Sequence, residues 1–170
     1  MPLEVAVDRT DGWPEPGWEA LAERAAMAAL RGAGRGDLAQ AFGEISLRLT
    51  DDAEVQQLNA AYRGKDKPTN ILSFPQFEAD ELGAGMSHAG ELLLGDMIVA
   101  RETVVGEAAE KCIALESHVT HLIVHGTLHL IGYDHQDDGS ADAMEALERE
   151  VLAGLGIADP YAPIDDDGEE

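Results

Sequence analysis

The stretch His125-Gly126-Thr127-Leu128-His129-Leu130-Ile131-Gly132-Tyr133-Asp134-His135 decides how the rest of the chain is read. Residues four apart lie on one face of an α-helix, so His125 and His129 stand one turn apart on the same side. Gly132 can end that helix in a left-handed turn and swing His135 back towards the same point. Three imidazoles around a tetrahedral ion leave one place for water. A structural zinc site fills all four places, so this arrangement is that of a catalytic site at the end of a helix.

Working back along the same helix, His118, His121, His125 and His129 fall within about an 80° arc at about 100° per residue. A polar face of hydrogen-bonded rings would explain any one of them. The clustering of five of the six histidines between positions 118 and 135 points to a metal. His121, one turn before His125, could take the third place geometrically. His135 is preferred, because rings strung along one straight helix at about 1.5 Å per residue cannot all make short bonds to one centre. His121 is then expected beside the ligands or facing substrate, with a catalytic part as a proton acceptor. His118 is expected further from the ion, and His88 on the surface. The expected cofactor is one Zn2+; nickel, copper and iron accept the same rings. Zinc lowers the pKa of its water to about 7, which points to hydrolysis.

Outward from the histidine helix, expected over 115–131, the chain alternates strands and helices. Leu3, Val5 and Val7 alternate as a strand, and so do Ile45, Leu47 and Leu49. A turn region at Trp13–Gly17 precedes an apolar helical face from Trp18 to Leu30, which Gly32, Gly34 and Gly36 break. Asp51 and Glu54 form a capping-box pattern ahead of Val55, Leu58 and Tyr62. A polar loop over 63–70 leads to a short strand at 71–74, stopped by Pro75. Residues 76–90 read as a loop. A mostly apolar strand covers 92–100, interrupted by Gly95 and Asp96, and a helix follows over 101–112. The last helix spans 140–155, with Met144, Leu147, Val151 and Leu152 inward. The order β-α-β-α-β-β-α-α-α predicts an α+β or mixed α/β domain. A single domain is expected over 1–160, with an acidic, disordered tail over 161–170.

The 170 residues carry a formal charge of −23. That excludes indiscriminate nucleic-acid binding, which runs on a positive field. Three of the eleven basic residues nevertheless fall together, as Arg63, Lys65 and Lys67. No apolar run approaches the roughly 18 residues of a membrane span. The N-terminus has no signal-peptide pattern, and Cys112 is the only cysteine. A reducing cytoplasm is the expected location, with Cys112 an inert helix residue.

The histidine spacing matches that of metzincin zinc peptidases. Their motif places the general-base glutamate directly after the first histidine, where this chain has Gly126, which weighs against peptide cleavage. A phosphodiester substrate needs a cation for its phosphoryl oxygens, and Arg63 with Lys65 and Lys67 can supply one. Gly126, having no side chain, is expected to leave room for a nucleotide. Asp134 is expected to support the ligands or the turn.

The eleven-residue histidine stretch resembles the signature of the YbeY family, bacterial endoribonucleases of ribosomal RNA maturation. So do Leu58-Asn59-Ala60-Ala61-Tyr62-Arg63-Gly64-Lys65-Asp66-Lys67-Pro68-Thr69-Asn70-Ile71-Leu72-Ser73-Phe74-Pro75 and Leu94-Gly95-Asp96-Met97-Ile98. The resemblance implies a mixed sheet of about four strands surrounded by helices. It also implies a metal-dependent, single-strand-specific endoribonuclease, acting at the 3′ end of 16S rRNA and in ribosome quality control. It carries the zinc ligands onto His125, His129 and His135 and the functional arginine onto Arg63. Because so acidic a chain should bind free RNA weakly, a docking partner is expected, either a small-subunit ribosomal protein or an assembly GTPase. The competing readings are a metzincin-like zinc peptidase and a non-catalytic ribosome-assembly factor.

Overall fold

The computed structural model describes residues 3–13, 16–40, 43–75, 92–133 and 138–157. Four strands, β1 (Glu4–Arg9), β2 (Gly43–Thr50), β3 (Ile71–Pro75) and β4 (Leu92–Ala100), form one sheet in the order β1-β2-β4-β3. β1 and β4 run parallel to β2, and β3 is an antiparallel edge against β4. The helices are α1 (Trp18–Gly32), α2 (Gly36–Gln40), α3 (Asp52–Arg63), α4 (Arg101–Lys111), α5 (Leu115–Leu130) and α6 (Asp138–Gly154). The mixed α/β architecture is the one expected. The proposed acidic tail and the loop over 76–90 lie outside the described residues.

Strand side chains alternate between faces, which divides the core in two. Ile45, Leu47 and Leu49 with Met97 and Val99 join the large cluster under α1 and α5. Ile98 and Ala100 face the other way and pack with Leu72, Phe74 and the α3 residues Val55 and Leu58. Beside α3, this second face holds an open trough of about 680 Å³ whose walls include Ser46, Arg48, Tyr62 and Asp96.

Several local details depart from the sequence reading. β4 is continuous through Gly95 and Asp96. The pairing with β2 slips by one residue at Glu44/Ile45, and Gly95 takes φ 150° at that irregularity. A Cβ there would collide with the Phe74 carbonyl oxygen, so glycine keeps the strand running. The glycine break after α1 is real, but the chain resumes for one short helix, α2. The wholly buried Leu38 anchors it and an Arg35–Asp37 ion pair of 3.1 Å starts it; five residues are too few to show a period. Trp13, read as a turn residue, is buried and donates from Nε1 to the Thr50 carbonyl at 2.8 Å. Cys112 stands just beyond α4 as its exposed C-cap, with φ 56°. Only half of the capping box forms. Asp51 Oδ1 accepts from Glu54 N at 2.9 Å, while the Glu54 carboxylate takes Arg48 Nε and Thr50 Oγ1, each at 2.7 Å. These bonds, Arg48 first, hold the Glu54 carboxyl below its usual range. Arg48 also pairs with Asp8 across the strands.

Candidate active site

Helix α5 packs its apolar side on the sheet and on α1, and carries the four histidines on one face as the spacing predicts. Successive ring centroids from His118 to His129 are 6.3, 6.4 and 4.7 Å apart. Exposure rises along the row. His118 is 1% exposed, the His121 side chain 10% and the His125 side chain 22%. The row therefore runs from the interior outward to the C-terminal end of the helix.

The four rings do different things. His118 Nε2 lies 2.8 Å from Glu107 Oε1, and Glu107 also accepts from Asn70 Nδ2 at 3.1 Å. Burial pushes the His118 imidazole below its ordinary value, and the Glu107 bond only partly counters that. Its Nδ1 has no hydrogen-bond partner among the described residues. His121 Nε2 lies 2.8 Å from Glu148 Oε1, and His125 Nδ1 lies 2.7 Å from Glu148 Oε2. Glu148, on α6, is wholly buried.

This arrangement fits two ligands of one metal ion. With Nδ1 of His125 turned to a carboxylate, its Nε2 points elsewhere, and the His129 ring stands one turn on at 4.7 Å. The turn after the helix is as expected. Gly132 takes φ 105°, Gly132 N donates to His129 O at 3.1 Å, and Tyr133 N donates to Leu128 O at 3.0 Å. These are the two bonds of a Schellman cap, which needs a left-handed residue. His135, the third expected ligand, lies outside the described residues, as do Asp134 and His88. Among the described residues, no group of three His, Cys, Asp or Glu side chains is disposed to hold an ion. That includes His121, His125 and His129.

Arg63 is the last residue of α3, and its Nη2 donates to the Ser73 carbonyl of edge strand β3 at 3.2 Å. The Ser73 hydroxyl in turn faces α5, 3.2 Å from where a Cβ on Gly126 would stand. One strand residue therefore separates the guanidinium from the backbone next to His125. Lys65 and Lys67 are exposed in the following loop. Buried Asn59 shapes that loop, accepting Lys65 N on its carbonyl at 3.2 Å and donating from Nδ2 to Lys67 O at 2.9 Å.

Gly126 has a different purpose from the one expected. It faces the sheet, and an added Cβ would meet Met97 Sδ at 2.6 Å and Ile71 Cδ1 at 3.1 Å. Its missing side chain lets α5 approach β3 and β4 closely and clears no space for a nucleotide. A glutamate in that position would be forced into the helix–sheet interface.

The sequence reading missed Glu148 and Glu107. Glu148 had a signal: it lies in the row Met144, Leu147, Val151, Leu152, where a carboxylate is out of place on an inward apolar face. Glu107 had none, because α4 has no strong apolar stripe.

Comparison with known proteins completes the picture. A model of the family described as Endoribonuclease YbeY matches residues 10–156. A protein of that name from Rhizorhabdus wittichii is 53% identical over 168 residues, covering 96% of this chain and 99% of the relative. Proteins of the same name from Sphingopyxis alaskensis and Zymomonas mobilis are 53% and 50% identical, covering 96% and 94% of this chain and 99% and 93% of their own lengths. A solution structure of a Thermotoga maritima protein shares the fold, with TM-score 0.54 at 21% identity over 99% of both chains. Half of all positions match across essentially the whole length, and the family pattern runs from just after the first strand to beyond the end of the last helix: the chain belongs to the YbeY endoribonuclease family.

Proposed function

We propose that the chain is an endoribonuclease that cuts single-stranded ribosomal RNA, including the 3′ end of 16S rRNA, in ribosome maturation and quality control. It would use one zinc ion held by His125, His129 and His135. The observation that carries this reading is the pairing of a partly exposed His125–His129 couple with an arginine anchored one strand residue away.

The ion, when bound, would supply an activated water at neutral pH and a positive charge beside the phosphate. The chain's own groups do the rest. Arg63 commits one N–H to Ser73, which steadies a fork whose other donors suit phosphate oxygens and the charge that grows on them. Lys65 and Lys67 extend this positive strip along the backbone of the strand. Tyr62, next to Arg63, is 71% exposed and braced edge-on by Phe74 at 5.6 Å. Its open ring face suits stacking by an unpaired base, which favours a single strand over a duplex. A proton-carrying role for His121 would have to use Nδ1, since Nε2 is held by Glu148. With a chain charge of −23, useful affinity would come from a docking partner, a small-subunit ribosomal protein or an assembly GTPase, that delivers the enzyme to its RNA.

The test is cleavage of a single-stranded RNA bearing the 16S 3′ sequence, with and without chelator, beside a panel of unstructured peptides. The expected result is RNA cleavage that stops on chelation and on Arg63→Ala with an unchanged melting temperature. Cleavage that survives chelation would overturn the metal reading. Loss of cleavage without loss of rRNA maturation in cells would favour an assembly factor. Products ending in a 2′,3′-cyclic phosphate would assign the attack to the RNA's own 2′-hydroxyl.

A further inference from the structure

We infer that Glu148 is a positioning residue of the metal site: from α6 it selects which nitrogen of His125 is presented to the ion, with His121 bracing its second oxygen. This rests on the proposal above that His125 is a ligand.

The fold gives no reason of its own for a carboxylate here. Glu148 is 0% exposed and stands in an inward row with Met144, Val151 and Leu152, all buried. A charge withdrawn from water is costly unless fully paired, and an apolar residue of similar size usually serves a core as well or better. Among the described residues, Glu148 Oε1 meets His121 Nε2 at 2.8 Å and Oε2 meets His125 Nδ1 at 2.7 Å, both imidazoles of the same helix. An ionised carboxylate only accepts hydrogen bonds. With Glu148 in that ionised form both rings donate, His121 through Nε2–H and His125 through Nδ1–H.

For His125 the consequence is chemical. A neutral imidazole carries one N–H and one lone pair, and only the lone pair binds a metal. With the proton held on Nδ1, the lone pair is on Nε2, at the outer end of the ring, where the row of histidines reaches the surface. Without Glu148 the ring could exchange tautomers and turn about its axis. His121 matters because a carboxylate bonded to one ring alone can swing, whereas one bonded to two rings a helical turn apart cannot. Outer carboxylates of this kind contribute roughly ten- to a hundredfold to metal affinity.

The experiment uses the full chain as wild type, Glu148→Gln and Glu148→Met. The apo protein is examined by long-range proton–nitrogen NMR and by thermal melting, and zinc affinity by competition with a chromophoric chelator. Wild-type apo protein should show His125 in the Nδ1–H form. Glu148→Gln should bind zinc about ten- to a hundredfold more weakly. Should that variant fold poorly, Glu148→Met, which suits the apolar row, should fold and show the same loss. A His125 found in the Nε2–H form overturns the inference whatever zinc does. Unchanged zinc affinity in either folded variant also overturns it, leaving the metal reading intact. A wild type that binds no zinc overturns the metal reading, and this inference with it.

Discussion

Gly126→Ala separates two explanations of one residue. If the glycine serves helix–sheet approach, a methyl group must displace Met97 Sδ, 2.6 Å away, and press on Ile71 Cδ1 and Ser73 Oγ at 3.1 and 3.2 Å. Overpacking of this kind costs about 1–3 kcal/mol. Alanine in a helix interior returns about 1 kcal/mol of propensity, and the thioether of Met97 is soft enough to absorb part of the clash. The net expectation is a loss of about 0–2 kcal/mol, which for a chain of this size lowers the melting temperature by up to about 8 °C. The KM for RNA should stay the same. The assay is thermal melting of chelated protein beside steady-state cleavage of a short RNA. A variant about 2–4 °C more stable, with a raised KM, would refute the packing account, since the propensity gain would then be unopposed and the lost room would be the substrate's. Gly126→Glu extends the argument. It supplies the carboxylate of the peptidase motif but buries it against Met97, at a cost of several kcal/mol, so it should yield poorly folded protein and no peptidase.

Arg63→Ala should lower kcat by about a hundredfold, the usual loss for one donor to a developing oxyanion, with melting nearly unchanged because the guanidinium is exposed; cleavage assays and calorimetry check both. Asp51→Ala removes the bond to Glu54 N and should cost about 1 kcal/mol as a lost N-cap, seen as a lower melting temperature with activity intact. Burial holds the His118 pKa below its unfolded value of 6.5. The stability from its neutral form is therefore complete above that value and lost as pH falls towards the folded-state pKa. Melting from about pH 7 to pH 5 should fall less steeply in His118→Gln than in wild type. Cleavage of free RNA should depend on salt less steeply than for a basic nuclease, because added salt screens long-range repulsion as well as the Arg63 contact.

Most of the fold was legible because its elements are local. Leu3, Val5, Val7 and Ile45, Leu47, Leu49 alternate, and the Trp18–Leu30 face repeats at helical spacing, so strands and helices announce themselves within a few residues. The β4 bulge did not, because Gly95 and Asp96 look like an interruption until the neighbouring Phe74 carbonyl is in place to require a glycine. α2 did not either, since a single buried Leu38 makes no pattern. Sheet order was also out of reach, because β4 inserts between β2 and β3 through contacts distant in sequence.

The site follows the same division. His125, His129 and the Gly132 turn belong to one helical segment and its cap, so their geometry follows from spacing alone. Gly126 belongs to that segment too, yet its purpose was misread, because its neighbours Met97, Ile71 and Ser73 come from two strands that the motif does not mention. Glu148 lies on another helix, 23 residues from the ring it holds. Its only trace in the sequence is a charge in an apolar row, and such a residue is best read as a question about its partner. Buried carboxylates need partners, and a chain with a histidine face still without acceptors supplies the answer. Pairing the misplaced acid with the unexplained donors would have found Glu148 from the sequence. The same rule would not have found Glu107, which sits on a helix with no apolar stripe for a charge to interrupt.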